Sequence, residues 1–177
     1  MEKLLKHRIV KAKQKQHGWT LVELLVVVVI IGILAMVLLA RVPYWLDKSK
    51  EAKTRDVLRD LRVQIKRYYA ENRGYYPIAL DRERRSAPDD PNIILPAFIP
   101  NYMAKMPKAR IRSGTGHGDS SDVLVVDTGN DLFTSEDIKD LGGWIYSSTT
   151  GEIRVNCTHL DTAGKIHYSN YGYEEVE

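Results

Sequence analysis

From Leu24 to Ala40 the sequence runs 17 residues without a charge. Few folds accommodate such a stretch. Wound as a helix, Trp19 to Ala40 reaches roughly 33 Å, enough to cross the hydrocarbon core of a bilayer. The flanks narrow the choice further. Residues 1–18 carry six basic residues (Lys3, Lys6, Arg8, Lys11, Lys13 and Lys15) against one acid, Glu2. Gly18 closes this basic segment, and a lone carboxylate, Glu23, follows five residues later. An ionised acid inside a membrane-spanning helix is costly unless it lies near the helix end or finds a partner. Glu23 therefore needs a reason to be there.

Three accounts of this N-terminus compete. A secretory signal peptide has a basic start, but its apolar core is usually 7–15 residues long and ends at an A-x-A-like site. Here the run is longer, and neither Ala35 nor Ala40 sits in such a site. A plain single-pass anchor explains the length but not Glu23. Charge counting orients the segment only slightly, because Arg41, Lys48, Lys50, Lys53 and Arg55 follow the helix against six basic residues before it. The third account comes from the motif itself. Gly18-Trp19-Thr20-Leu21-Val22-Glu23-Leu24-Leu25-Val26-Val27, with Ile31-Gly32-Ile33-Leu34-Ala35 behind it, resembles the N-terminal signature of type IV pilins and type II secretion pseudopilins.

That resemblance implies a specific life history. A prepilin peptidase in the membrane would cut between Gly18 and Trp19, and Trp19 would then be N-methylated. The apolar helices would pack as the core of a homo-oligomeric filament, driven by an assembly ATPase and inner-membrane platform proteins, alongside other pseudopilins. Glu23 would pair with the N-terminal amine of a neighbouring subunit and set the register. The family usually has phenylalanine where this chain has Trp19; an aromatic is kept. From the residues alone, Glu23 lies about one helical turn beyond a new amine at Trp19, so a pair within one chain is also geometrically open. Snorkelling to the headgroups is the plainer alternative.

The rest divides by composition into a transmembrane helix over 19–42, an amphipathic continuation over 43–74, a loop-rich connector over 75–122 and an antiparallel β-sheet region over 123–177, after a basic leader at 1–18. Pro43 cannot donate to the carbonyl of Leu39 and should loosen the helix there. Gly32 is a second weak point that permits close helix approach, and Tyr44 and Trp45 stand where an interfacial aromatic belt would lie. Val57, Leu58, Leu61, Ile65, Tyr68 and Tyr69 recur at helical spacing, with charges of both signs on the other face. With Gly74 as the stop, a stem from Trp19 to Asn72 would be roughly 80 Å long. Asn72-Arg73-Gly74-Tyr75-Tyr76-Pro77 is similar to the turn after the stem in pseudopilins. Tyr102-Met103-Ala104-Lys105-Met106-Pro107 resembles the segment that precedes their sheet, and should pack on the stem. Arg82 to Pro91 reads as an exposed connector. Residues 143–146 and 152–156 flank a five-residue turn ending at Gly151 and predict a hairpin, with a third strand at Lys165–Tyr168. Ile145, Ile153 and Val155 alternate with polar residues, as one face packed on the stem would require.

Chemistry is thinly represented. Ser113-Gly114-Thr115-Gly116-His117-Gly118-Asp119 precedes a β-like run, the reverse of a phosphate loop, and neighbouring triad residue types in a loop do not make a triad. His117 reads as a solvated loop residue. Asp119, Asp122, Asp127, Asn130 and Asp131 are oxygen donors of the kind calcium takes, although their spacing matches no known loop closely. Cys157, His159 and His167 lack metal-ligand spacing, so no metal ligands are assigned and no cofactor is expected. The single cysteine excludes an intrachain disulfide, so the C-terminal region must be held by packing or by a metal. Formal net charge is +3, but residues 1–18 account for +5 and the remainder for −2, which gives no reason to expect nucleic acid as a partner. The expectation is an α+β, pilin-like chain with no enzymatic activity. It is a long transmembrane stem helix whose C-terminal half packs on a small antiparallel sheet. Its implied place is the bacterial inner membrane, N-terminus cytoplasmic and head extracytoplasmic. A type II secretion pseudopilin fits best; a type IV pilin or minor pilin, and a membrane-anchored binding protein, are the alternatives.

Overall fold

The computed structural model describes residues 18–129 and 131–173. The basic leader, apart from Gly18, lies outside the described residues, as does Asn130. Two compact units divide the chain, residues 1–41 and 42–177.

Within the first unit, α1 spans Leu21–Leu39. Thr20 stops it at the front as N-cap, and none of its residues is buried. The helix is apolar on every side, which suits lipid or a partner helix rather than a protein surface facing water. Its length and composition are enough to cross a membrane. The stem expected from Trp19 to Asn72, with a loosening at Pro43, is divided there. Ala40 and Arg41 form a turn, and α2 begins at Val42. Pro43 explains the location: it leaves the Leu39 carbonyl without its helical donor, yet fits the first turn of the helix that follows.

In the second unit, α2 runs Val42–Glu71 and buries Glu51, Thr54, Leu58, Leu61, Ile65 and Tyr68. These six alternate at three- and four-residue spacing, one stripe on one face. The apolar part of that stripe is where periodicity put it, while Tyr69 turns out to be exposed. Gly74 (φ +83) takes the left-handed conformation that ends the helix, its N–H bonding the Tyr69 carbonyl.

Against the stripe packs a three-stranded sheet of β3 (Val123–Val126), β4 (Trp144–Ser147) and β5 (Ile153–Val155), in that spatial order. A two-stranded antiparallel ribbon, β1 (Arg85–Ser86) with β2 (Ile94–Leu95), lies in the connector. The β4–β5 hairpin is antiparallel as expected, but β3 pairs with β4 in parallel, so the sheet is mixed. A parallel pair needs a crossover, and residues 127–143 supply it. That crossover places Phe133 and Ile138 over Ile145, on the face away from α2. Ile145 therefore does not share a face with Ile153 and Val155. The register pairs Trp144 with Val155 and Tyr146 with Ile153, and these four join Leu58, Leu61 and Ile65 in the main core. Both faces of β4 are covered, so all four of its residues are buried. No strand forms at Lys165–Tyr168. One bridge joins Leu160 to His167, and a 3-10 turn covers Tyr168–Asn170.

The connector is less exposed than its composition suggests. Leu80, Ala87, Leu95, Phe98 and Ile99 are buried, and three core aromatics anchor it by donating to its carbonyls. Tyr146 Oη bonds Pro77 O at 2.7 Å, Tyr68 Oη bonds Pro96 O at 2.8 Å, and Trp144 Nε1 bonds Pro107 O at 2.8 Å. Tyr102 stacks on Phe98 and reaches Glu71 Oε2 at 2.9 Å, so its segment packs on α2 as predicted.

The turn after α2 and the hairpin turn interlock. A Cβ on Gly151 (φ +70) would lie 2.2 Å from the Tyr76 ring. Gly151→Ala should cost about 2–4 kcal/mol, combining backbone strain with overpacking. Gly164→Ala, at nearly the same φ (+69) but in open space, should cost only the backbone part. Thermal melts of the two full-length variants in detergent test this contact; equal melting temperatures would eliminate it.

Candidate functional site

Gly18 and Trp19 precede α1 in non-helical conformation, and Trp19 is 72% exposed. Among the described residues a side chain at Gly18 would meet nothing within 4 Å, and its φ is not in the left-handed region. The fold itself places no demand for glycine there. Thr20 and Glu23 then form a reciprocal capping box. The Glu23 N–H bonds Thr20 Oγ1 at 3.2 Å, while Thr20 N and Oγ1 both donate to Glu23 Oε2 at 3.0 Å. Such a box satisfies two of the donors a helix start leaves orphaned. It also puts an anion in the first turn, where the helix dipole favours one. Sequence reasoning weighed partners for Glu23 but not Thr20, although the T-x-x-E spacing was the signal. Both bonds that the carboxylate accepts are to Oε2.

Residues 13–39 match the family model described as the prokaryotic N-terminal methylation motif. This N-terminal segment is type IV pilin-like. The methylation motif takes in Gly18, Trp19, the whole capping box and α1, ending at the residue where the helix ends. It marks a protein that a prepilin peptidase processes and that assembles into filaments from a membrane. No curated protein and no solved structure matches the chain.

The residues considered for other chemistry distribute differently. Ser113 bonds Asp47 and Lys50 on α2, whereas His117 turns to Asp140, so no triad forms with Asp119. Among the described residues, Asp119, Asp122, Asp127 and Asp131 do not converge in threes. Asp122 accepts from Ser120, and Asp127 accepts from the Gly129 N–H and Thr149, both within or beside turns. His117 is not a solvated loop residue: its side chain is 13% exposed. Cys157 and His159, which seemed scattered, meet His117 and Asp140 in one cluster. Burial pushes the Cys157 thiol up to about 12. Burial acts against the Asp140 carboxylate, but the Thr158 N–H and His117 outweigh it and hold the carboxyl below its usual range.

Proposed function

We infer that this chain is the precursor of a type II secretion pseudopilin, a structural subunit without catalytic activity. Prepilin peptidase cuts it between Gly18 and Trp19, Trp19 is N-methylated, and Glu23 pairs with the amine of a neighbouring subunit during polymerisation. The methylation motif carries this reading. The exposed, non-helical bond between Gly18 and Trp19 supports it, because a protease requires an extended and accessible strand. So does a glycine at 18 that no packing requires. Gly32 argues the same way. Glycine in a helix interior costs about 1 kcal/mol relative to alanine, and beyond its own helix backbone a side chain there would meet none of the described residues within 4 Å. Close approach of a second helix gives that glycine a use.

Two features of the head favour a secretion pseudopilin over an adhesive pilin. The turn at Asn72 to Pro77 closes the stem in the pseudopilin manner, and the C-terminal region is held without a disulfide. The subunit would sit in the inner membrane with its N-terminus in the cytoplasm and its head outside, served by the assembly ATPase and platform proteins. The deciding experiment is intact mass with N-terminal sequencing of protein recovered from its native membrane. A chain starting at N-methyl-Trp19 is expected. A chain retaining Met1 in cells with active prepilin peptidase would leave a plain anchor, and a start near Arg41 would leave a secreted soluble domain.

A further inference from the structure

Four potential metal ligands converge in the head from three separate segments. His117 comes from the loop before β3, Asp140 from the β3–β4 crossover, and Cys157 with His159 from the chain leaving β5. One donor atom from each lies within 4.8 Å of every other. The closest separations are His117 Nε2 to Asp140 Oδ1 at 3.2 Å, His159 Nδ1 to Asp140 Oδ1 at 3.3 Å and Cys157 Sγ to His159 Nδ1 at 3.6 Å.

These lengths have a simple geometric meaning. In a tetrahedron, ligand–ligand edges are about 1.63 times the metal–ligand bond. With zinc bonds of about 2.0–2.1 Å to nitrogen or oxygen and 2.3 Å to sulfur, the edges are about 3.3–3.4 Å for N···O and about 3.6 Å for S···N. All three observed separations fall at those values or within about 0.2 Å of them.

We propose that His117, Asp140, Cys157 and His159 form a structural zinc site. Donor chemistry selects the metal class. Two imidazoles, one thiolate and one carboxylate suit a borderline-soft divalent ion and do not suit calcium or magnesium. One thiolate and one carboxylate also cancel the charge of a divalent cation, leaving a neutral centre. Four protein ligands leave no open position, which is the arrangement of a structural site rather than a catalytic one.

The surroundings hold the ligands in place. Asp140 Oδ1 accepts the Thr158 N–H at 2.9 Å, an outer-shell bond that orients the carboxylate. Asn156, 1% exposed, uses its side-chain oxygen to hold the N–H groups of Lys139 and Asp140, fixing Asp140 at φ +56. Gly142 (φ +74) lets the crossover lie against His117; a Cβ there would be 3.2 Å from Nδ1. His117 Nδ1 is buried with no hydrogen-bond partner among the described residues, and Nε2 faces the Asp140 carboxylate. Cys157 forms the closed floor, and Asp140 and His159, each about one-third exposed, form the entrance.

The test uses full-length protein in detergent, stripped with chelator and titrated with zinc or cobalt. One zinc per chain is expected, with a melting temperature that rises with zinc concentration. Cobalt in the same site should give the thiolate-to-metal charge-transfer band and the intense visible bands of tetrahedral coordination. The wild-type spectrum reports the thiolate without any variant. Cys157→Ser should abolish the charge-transfer band, and Cys157→Ser or His159→Ala should weaken zinc more than about 100-fold, beyond the loss of an outer-shell partner. His167→Ala, eight residues beyond His159 and outside the cluster, should bind as wild type. Cobalt bound without a thiolate band, binding unaffected by Cys157→Ser, or no stoichiometric zinc would each overturn the site.

Discussion

Glu23→Gln should be processed normally and fail to form filaments, as Glu23→Ala should. The two substitutions separate the roles this side chain can play. Glutamine at the third helical position still serves a capping box, because its amide oxygen can accept from the Thr20 N–H. Alanine removes that acceptor, although Thr20 Oγ1 can still accept from the backbone N–H at position 23. If Glu23 only caps α1, glutamine should restore assembly where alanine does not. If its charge meets the amine of a neighbouring subunit, neither should assemble. Cleavage is read from the mass of the chain and assembly from filaments sheared off or imaged at the membrane. Filaments in wild-type amount from Glu23→Gln would remove the ionic role, and from Glu23→Ala would remove any assembly role.

The largest loss of head stability is expected at Glu51. This residue is 6% exposed on the buried stripe of α2, and Oε1 accepts from Thr162 N, Thr162 Oγ1 and Tyr168 Oη. Tyr168 Oη in turn accepts the Arg112 N–H at 2.9 Å. Glu51→Ala orphans three donors in the interior at once and should cost about 3–4 kcal/mol, since a hydrogen bond to a charged group contributes about 1.5–3 kcal/mol. Tyr168→Phe removes one donor to Glu51 and the acceptor of the Arg112 N–H with little change of volume and should cost about 2–3 kcal/mol. Because both belong to one network, the double variant should be more stable than the sum of the two losses implies. Chemical denaturation followed by tryptophan fluorescence measures all three. A loss within about 0.5 kcal/mol for Glu51→Ala would place it with ordinary surface substitutions and discard the network.

The features legible in the sequence are those written in local order. An uncharged run specifies α1, and T-x-x-E was there to be read as its cap. Leu58, Leu61, Ile65 and Tyr68 specify the buried face of α2 by spacing alone. Gly74 and Gly151 mark turns because few other residues accept their φ. Legibility ends where distant strands meet. Nothing near Val123–Val126 says that its partner runs parallel, and that choice moved Ile145 to the opposite face from Ile153. The same limit hid the His117, Asp140, Cys157 and His159 cluster. Only Cys157 and His159 are close in sequence, and a two-residue spacing in a single segment does not announce ligands that arrive from two other loops. The glutamate on α2 was equally silent, since Glu51 looks like one more charge on a solvated face until its contacts 111 and 117 residues away are seen.

Those same contacts govern when the head can be finished. Tyr168 and Tyr171 complete the burial of the α2 stripe, and Arg62 clamps them by donating to the Tyr171 carbonyl, 109 residues on. Closing loops of this length is slow compared with forming α2 or the β4–β5 hairpin. During synthesis, the stripe of Leu58, Leu61 and Ile65 is therefore an adhesive surface until residues 168–171 have emerged. Chains interrupted before that point would present an apolar helix face to chaperones and proteases, while completed ones would hide it. The last-closing contact thus acts as an inspection mark on each subunit before it meets its neighbours.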